Sequence, residues 1–204
     1  MSDPVILDSL ERGIRALGQD PAEHPIESYL AWIALLGKWN RAYNLSGIRD
    51  PARMITHHLL DSLAVLPFVH GRHCLDVGTG AGLPGFILAL ALPQTRWVLL
   101  DSNRKKTRFL NQAVLELKPG NVEVVAGRAE DYRPPEPFTT VTCRAVASLQ
   151  RLQTMTAHLR AGGGRLLAMK GAELRDELAQ VHGARVHELH IAGIRGKRHL
   201  VVME

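Results

Sequence analysis

Apolar residues in the first third of the chain recur every three or four positions, which is typical of helices. This spacing and the Pro and Gly residues beside it predict three helices: one from Asp3-Pro4 to Gly18, one starting near Pro25, and one from Asp50-Pro51 to Pro67. A polar loop over residues 40–49 separates the second helix from the third.

From residue 72 onward the pattern alternates between short apolar runs and amphipathic segments. It predicts strands at 74–78, 97–101, 122–126, 139–144, 165–170, 185–191 and 199–203, with helices at 83–92, 104–117, 149–159 and 173–181. Such alternation indicates an α/β fold with a mostly parallel seven-stranded sheet. Only residues 192–198 separate the last two strands, so these two are expected to pair as an antiparallel hairpin. The sequence thus divides into a helical extension, residues 1–70, and an α/β domain, residues 71–204.

Composition narrows the class of protein. The chain has 204 residues, of which 46% are hydrophobic and 22% charged, as in ordinary globular proteins. Its net charge of +5 fits a nucleic-acid partner without requiring one. The first eight residues carry acids and no long apolar core, and the longest apolar run, 83–93, is too short to span a bilayer. We therefore expect a cytoplasmic protein without a membrane partner.

The metal-binding residue types are not clustered. The only two cysteines, Cys74 and Cys143, fall in predicted strands and provide neither a disulfide framework nor a metal site. His57 and His58 are adjacent, so their rings point to different faces of a helix. No metal cofactor is expected.

Residues 76–85 read D-V-G-T-G-A-G-L-P-G and lie between a predicted buried strand and a predicted helix. In that geometry backbone N–H groups can approach a nucleotide-like ligand. The dinucleotide fingerprint G-x-G-x-x-G, started at Gly78, would need a glycine where Leu83 stands; this and the terminal hairpin argue against an NAD-dependent oxidoreductase. An acid followed by glycines at 78, 80 and 82 instead resembles the cofactor loop of class I S-adenosylmethionine-dependent methyltransferases, which have a Rossmann-like fold. The alternative is a tight turn without a ligand.

Other candidates lie where ligands bind in open parallel sheets, beyond the carboxyl ends of the strands. Asp101 ends the second strand and either accepts hydrogen bonds from ribose hydroxyls or caps the helix at Arg104. Ala129 and Glu130 follow the third strand. They either lie beside the adenine edge of a bound nucleotide-like ligand or form a solvated acidic turn. Arg144 ends the fourth strand, facing the reaction centre or forming a salt bridge.

Basic residues form three groups along the chain. Arg104, Lys105, Lys106 and Arg108 crowd the start of a predicted helix, where the helix dipole disfavours cations. Further groups are Arg195, Lys197 and Arg198 in the final hairpin loop, and Arg41, Arg49 and Arg53 around the N-terminal polar loop. Together they suit contacts with RNA phosphates, although each alone is also compatible with a solvated face.

Several short blocks occur in an order that resembles one family over nearly the whole chain. They are Asn44-Leu45-Ser46, H-H-L-L-D-S-L at 57–63, the glycine loop, Leu100-Asp101-Ser102, Arg108-Phe109-Leu110, Cys143-Arg144-Ala145, Met169-Lys170-Gly171 and R-H-L-V-V at 198–202. The family is ribosomal RNA small subunit methyltransferase G, also called glucose-inhibited division protein B. Ala81 and Cys143 depart from the proline and serine that are common in the family.

The resemblance implies a specific reaction: methylation of N7 of one guanine, guanosine 527 in standard rRNA numbering, in the decoding-region loop of 16S rRNA. It implies S-adenosylmethionine as cofactor and 16S rRNA, the small subunit or an assembly intermediate as partner. It assigns cofactor contacts to Gly78, Leu83, Ala129, Glu130 and Arg144. The residues of the glycine loop and the strand ends are added to these. The predicted set of cofactor-binding residues is then Asp76, Gly78, Gly80, Gly82, Leu83, Asp101, Ala129, Glu130 and Arg144.

Guanine N7 has an in-plane lone pair and no proton to lose, so the reaction needs alignment rather than a strong general base. Arg144 and Lys170 are the candidates for holding guanine O6 beside N7, unless both are structural ion-pair partners. A cytosine-C5 mechanism would use Cys143 as nucleophile; we interpret Cys143 as a small buried residue. A non-enzymatic RNA-binding module remains the third alternative. Nothing in the sequence indicates more than a monomer.

Overall fold

The computed structural model describes residues 4–204, so the predicted cap Asp3 lies outside the described residues. Helix α1 spans Pro4–Ala16, a 3₁₀ turn follows at Pro21–Glu23, and α2 spans Ile26–Tyr43. The predicted apolar stripes face inward: Leu10 and Ile14 on α1 are fully buried, as are Tyr29 and Leu36 on α2. Two of the predicted helices are thereby confirmed.

The third predicted helix is not a regular one. It consists of α3 at Pro51–Met54, a π-helical segment at Ile55–Leu60 and α4 at Asp61–Leu63, followed by a 3₁₀ turn at Leu66–Phe68. Apolar spacing cannot distinguish an α-helix from one that carries a π turn, because a π turn adds only one residue. π turns frequently occur at functional sites, and this one immediately precedes a buried acid, Asp61.

A single seven-stranded sheet forms the centre of the molecule, as predicted. Its strands are β1 His73–Val77, β2 Arg96–Asp101, β3 Val122–Ala126, β4 Phe138–Arg144, β5 Arg160–Lys170, β6 Arg185–Leu189 and β7 Arg198–Met203. The spatial order is β3-β2-β1-β4-β5-β7-β6. The first five strands are parallel, and β7 runs antiparallel to both β5 and β6. The hairpin therefore inserts its second strand into the sheet and leaves β6 at the edge.

Four helices connect the strands: α5 Gly85–Ala91, α6 Arg104–Leu117, α7 Leu149–Thr156 and α8 Arg175–Leu178. The helix predicted at 173–181 is only one turn long, and the end of the one predicted at 149–159 is a 3₁₀ turn, Ala157–Leu159. Strand β5 starts five positions earlier than predicted, because Arg160 already pairs with Phe138 of β4. The glycines that precede the apolar run lie in the register shift between that pair and the pair Thr140–Arg165.

The N-terminal helices and one face of the sheet share a hydrophobic core. Trp32 and Leu36 of α2 belong to the same buried cluster as Phe86 of α5 and Phe109 of α6. This packing brings residues 44–62 over the carboxyl ends of the strands. Within residues 4–204, no helix is both long and apolar enough to cross a membrane.

Candidate functional site

The carboxyl ends of three neighbouring strands meet at the centre of the sheet. Strand β1 lies between β2 and β4, with Val77 opposite Leu100 on one side and Cys143 on the other. The sheet order reverses direction at this position, where α/β folds bind their ligands. A cavity of about 440 Å³ opens here, which we call the loop cavity. Its lining includes Gly78, Gly80, Leu83, Asp101, Lys106 and Arg144.

The glycine loop needs glycine for two different reasons. Gly78 and Gly80 have φ angles of 64° and 63°, in the left-handed region that favours glycine. A Cβ on Gly78 would lie 2.6 Å from Cγ2 of Val146, whereas the space beside Gly80 is open, with Nζ of Lys106 the nearest atom at 3.8 Å. The open side of Gly80 lets a ligand approach the backbone closely.

Asp101 braces this loop from β2. Its Oδ2 accepts a hydrogen bond from the Gly80 N–H at 2.8 Å, and its Oδ1 accepts one from the Asn103 N–H at 2.8 Å. The cap of α6 is Asn103, whose side chain accepts from the Lys105 N–H, so the interpretation of Asp101 as the helix cap is wrong. Lys106 lies 3.9 Å from Asp101 and lines the loop cavity, and its side chain is only partly exposed.

A second cavity of about 150 Å³, which we call the side cavity, adjoins the loop cavity. The two share Gly78, Asp101 and Val146, and the side cavity also contacts Ala129 and Glu130. Asp101 thus lies where the cavities meet. A ligand with a polar sugar between two larger groups would fit this arrangement.

Two of the predicted cofactor residues lie behind the loop and line neither cavity. Asp76 is fully buried; its carboxylate accepts hydrogen bonds from the Gly85 N–H at 2.9 Å and the Thr142 hydroxyl at 2.8 Å. Burial raises the pKa of Asp76 to about 6. Gly82 packs against Phe86, so a Cβ there would lie 2.7 Å from Cβ of Phe86. Both residues shape the loop from within.

Sequence reasoning missed the buried carboxylate of Asp61. Its Oδ2 accepts a hydrogen bond from Nη1 of Arg144 at 3.1 Å, and Nε of Arg198 lies 3.5 Å from its Oδ1. The Asp61 side chain is 6% exposed. Arg144 also donates to the carbonyl oxygen of His57 at 3.1 Å. An acid inside the apolar face of a predicted helix was the available signal, and only the fold supplies its two arginine partners.

A third cavity, of about 420 Å³, lies on the other side of Arg144; we call it the hairpin cavity because Arg198 and His199 of β7 line it. It also contacts Asp61 and Lys170, and it shares Ser46, Gly47, Arg144 and Ala145 with the loop cavity. Ala145 has a φ of 55°, in the left-handed region that non-glycine residues rarely adopt. Such strained backbone is concentrated at functional sites, and here it separates two cavities.

Lys170 is mostly engaged within the protein. Its Nζ donates to the Ala147 carbonyl oxygen at 2.6 Å and pairs with Glu177 at 2.7 Å, and its side chain is 11% exposed. These contacts are those of a structural ion-pair partner, and Lys170 also lines the hairpin cavity.

The polar loop after α2 is held over the loop cavity and the hairpin cavity by its own hydrogen bonds. The Asn40 side chain donates to the carbonyl oxygens of Ser46 and Ile48 and accepts from the Ser46 N–H. The Ser46 hydroxyl lies 2.8 Å from Nε2 of His58, and burial lowers the pKa of His58 to about 4. His58 is therefore neutral at physiological pH, and the loop does not depend on its charge.

The predicted RNA contacts other than Lys106 divide into two sets. Arg104, Lys105 and Arg108 are exposed on α6, as are Arg195 and Lys197 in the final hairpin loop. Arg198 instead turns toward Asp61 in the hairpin cavity.

Cys143 is buried, and burial raises the pKa of its thiol, which fits the interpretation as a small buried residue and not as a nucleophile. Among residues 4–204, no three His, Cys, Asp or Glu side chains are placed to hold a metal ion.

Known proteins resemble this chain in sequence and in fold. The family model described as rRNA small subunit methyltransferase G matches residues 25–201. The ribosomal RNA small subunit methyltransferase G of Marinobacter nauticus is 47% identical over 209 residues, covering 100% of this chain and 97% of that protein.

Two solved structures share the fold. A predicted O-methyltransferase from Agrobacterium tumefaciens has a TM-score of 0.57, with 18% identity, over 70% of this chain and 79% of its own. Fibrillarin from Aeropyrum pernix, solved with natively bound S-adenosylmethionine, has a TM-score of 0.55, with 15% identity, over 67% of this chain and 68% of its own.

Proposed function

This chain belongs to the rRNA small subunit methyltransferase G family, and on that premise we propose that it methylates N7 of a single guanine in 16S rRNA. The methyl donor is S-adenosylmethionine, as in the solved fibrillarin structure that shares the fold. Membership of the family supports the rRNA substrate, and the position of Asp101 between two adjoining cavities beside an open glycine loop is the observation that supports the donor site.

The residues at this edge of the sheet fit the donor. The loop cavity, with Gly80 open to a ligand and Leu83 in its lining, would hold the methionine part. Asp101, a carboxylate whose two oxygens each already accept one backbone hydrogen bond, retains lone pairs for ribose hydroxyls. Ala129 and Glu130 in the side cavity would contact the adenine. Asp76 and Gly82 support this loop without touching the ligand.

S-adenosylmethionine supplies a sulfonium methyl group, which guanine N7 accepts with its lone pair and without losing a proton. The protein therefore has to align the base and exclude competing orientations. Arg144 lines both the loop cavity and the hairpin cavity, and in the proposed reaction it would donate a hydrogen bond to O6 beside the reacting N7. Lys170 is a second, more constrained donor on the same side.

RNA would reach the site across the exposed basic groups on α6 and the final hairpin, whose neighbours Lys106 and Arg198 line the loop cavity and the hairpin cavity. Phosphate contacts of this kind position a nucleic acid without reading its sequence. We propose that the protein acts as a monomer on 16S rRNA within the small subunit or an assembly intermediate, with the target guanosine turned out of its stack where needed.

The test is to incubate the protein with labelled S-adenosylmethionine and three substrates that lack the modification: naked 16S rRNA, small subunits and transfer RNA. Label is expected on N7 of one guanine in 16S rRNA, mapped by cleavage at N7-methylguanine and by mass spectrometry. Label only on transfer RNA, or on another base or atom, would contradict the proposal. An Asp101→Ala variant serves as the control for transfer that does not use this cofactor site.

A further inference from the structure

We propose that the hairpin cavity binds the target guanine and that Asp61 recognises it, accepting hydrogen bonds from its N1–H and N2–H groups. This inference rests on the proposed function, because it concerns the guanine whose N7 is methylated. It adds a specificity-determining residue, Asp61, that the glycine loop and the strand ends do not indicate.

The cavity has the position that the base requires. Its volume of about 420 Å³ lies within the range of small-ligand sites. It adjoins the loop cavity along Ser46, Gly47, Arg144 and Ala145, so a base inside it would have one edge facing the methyl donor. The hydrogen bonds of Asn40 and His58 hold the 44–48 loop over this boundary.

The order of groups in the site matches the order of groups along guanine. Guanine presents in sequence the N2–H and N1–H donors, the O6 acceptor and the N7 lone pair. The protein presents the carboxylate of Asp61, then the guanidinium of Arg144 at 3.1 Å from it, and then the loop cavity. With the donors on Asp61 and O6 on Arg144, N7 faces the methyl donor.

One oxygen of Asp61 is available for this role. Its Oδ1 is buried and has no hydrogen-bond partner among the described residues, whereas buried carboxylate oxygens are normally satisfied. Nε of Arg198 lies 3.5 Å away, at an ion-pair distance beyond a normal N–H···O hydrogen bond. The Arg198 side chain is 35% exposed, so it has room to move aside when a base enters.

The same arrangement rejects adenine. Adenine carries an acceptor at N1 and an amino donor at C6, so it would place an acceptor against Asp61 and a donor against Arg144. Inosine is the informative analogue, because it keeps O6, N1–H and N7 and lacks only the N2 amino group. A site that uses Asp61 as proposed must distinguish guanosine from inosine.

The experiment compares 16S rRNA substrates that carry guanosine or inosine at the methylated position, with kcat/KM for N7 transfer as the readout. For the wild-type protein we expect inosine to be about 10- to 100-fold poorer, the effect of losing one hydrogen bond to a charged group. In Asp61→Asn the remaining oxygen is engaged by Arg144 and the amide N–H₂ faces the donors of the base. The ratio is then expected to fall to within about threefold, roughly the scatter in a single contact's strength.

A structural role for Asp61 would instead slow both substrates equally and leave the ratio unchanged, which would overturn the inference. Equal use of guanosine and inosine by the wild type would overturn it as well. Should Asp61→Asn transfer too slowly to measure, equilibrium binding of the two RNAs to wild type and variant gives the same ratio.

Glu136→Gln, which removes an exposed carboxylate paired with Arg96, is the matched control and keeps the wild-type ratio. Transfer to a base or atom other than guanine N7 would refute the proposed function itself, and is recognised by mapping the label.

Discussion

Replacing Asp76 by Asn removes a buried charge while keeping the hydrogen bonds around it. The carboxylate accepts from the Gly85 N–H and from the hydroxyl of Thr142, which also lies 3.3 Å from the Leu75 carbonyl oxygen. In Asp76→Asn the amide oxygen accepts from Gly85 and the amide nitrogen donates to Thr142, whose hydroxyl then donates to Leu75. The substitution therefore measures the net free energy of holding the charge at this buried, hydrogen-bonded position.

The magnitude follows from the pKa of Asp76, which burial raises from 3.8 to about 6. At about 1.4 kcal/mol for each tenfold change in proton affinity, this corresponds to roughly 3 kcal/mol. Because the folded state binds the proton more tightly than the unfolded state, protonation stabilises the fold. The contribution is present below about pH 4 and is lost as the pH rises through about 6.

Urea denaturation of wild type and Asp76→Asn between about pH 4 and pH 8 measures this directly. The two proteins should have similar free energies of unfolding at the acid end, and the variant should become more stable by up to about 3 kcal/mol at the alkaline end. A stability difference that stays constant across the range would refute the reasoning. Glu136→Gln, at a carboxylate that is 64% exposed, is expected to show a difference within about 0.5 kcal/mol throughout.

Three further predictions concern the cofactor, the helical packing and the RNA surface. Asp101→Ala should weaken S-adenosylmethionine binding about 10- to 100-fold in calorimetry, since it removes a charged acceptor; unchanged affinity would exclude a ribose contact. Gly13→Ala should destabilise the fold by about 1–3 kcal/mol because its Cβ would collide with the buried side chain of Leu60. Gly37→Ala, where the space is open, should stabilise it by up to about 1 kcal/mol in the same urea assay. Lys197→Gln should weaken RNA binding and reduce the slope of the logarithm of the binding constant against the logarithm of the salt concentration by about one. An unchanged slope would show that Lys197 does not contact the RNA.

Much of the fold follows from the sequence because the responsible interactions are local. Apolar periodicity depends on neighbouring residues, and it predicted the seven strands, most helices and the antiparallel pairing of the last two strands. The glycine spacing likewise predicted a tight loop after β1, since a left-handed backbone at Gly78 and Gly80 is a property of those positions; the ligand of that loop stays a prediction. The prediction of Asp101 beside that loop needed only the rule that parallel strands end at one edge.

Tertiary structure decided what depends on residues far apart in the chain. The hairpin pattern does not determine which of its two strands pairs with β5. In the structure β7 lies between β5 and β6, and β6 forms the edge of the sheet. The π turn before Asp61 is invisible to apolar spacing, and the pairing of Asp61 with Arg144 joins positions 83 residues apart. Local sequence can specify a turn or a strand, but the cavities and their charges arise only when packing brings separate segments together and removes water from between them.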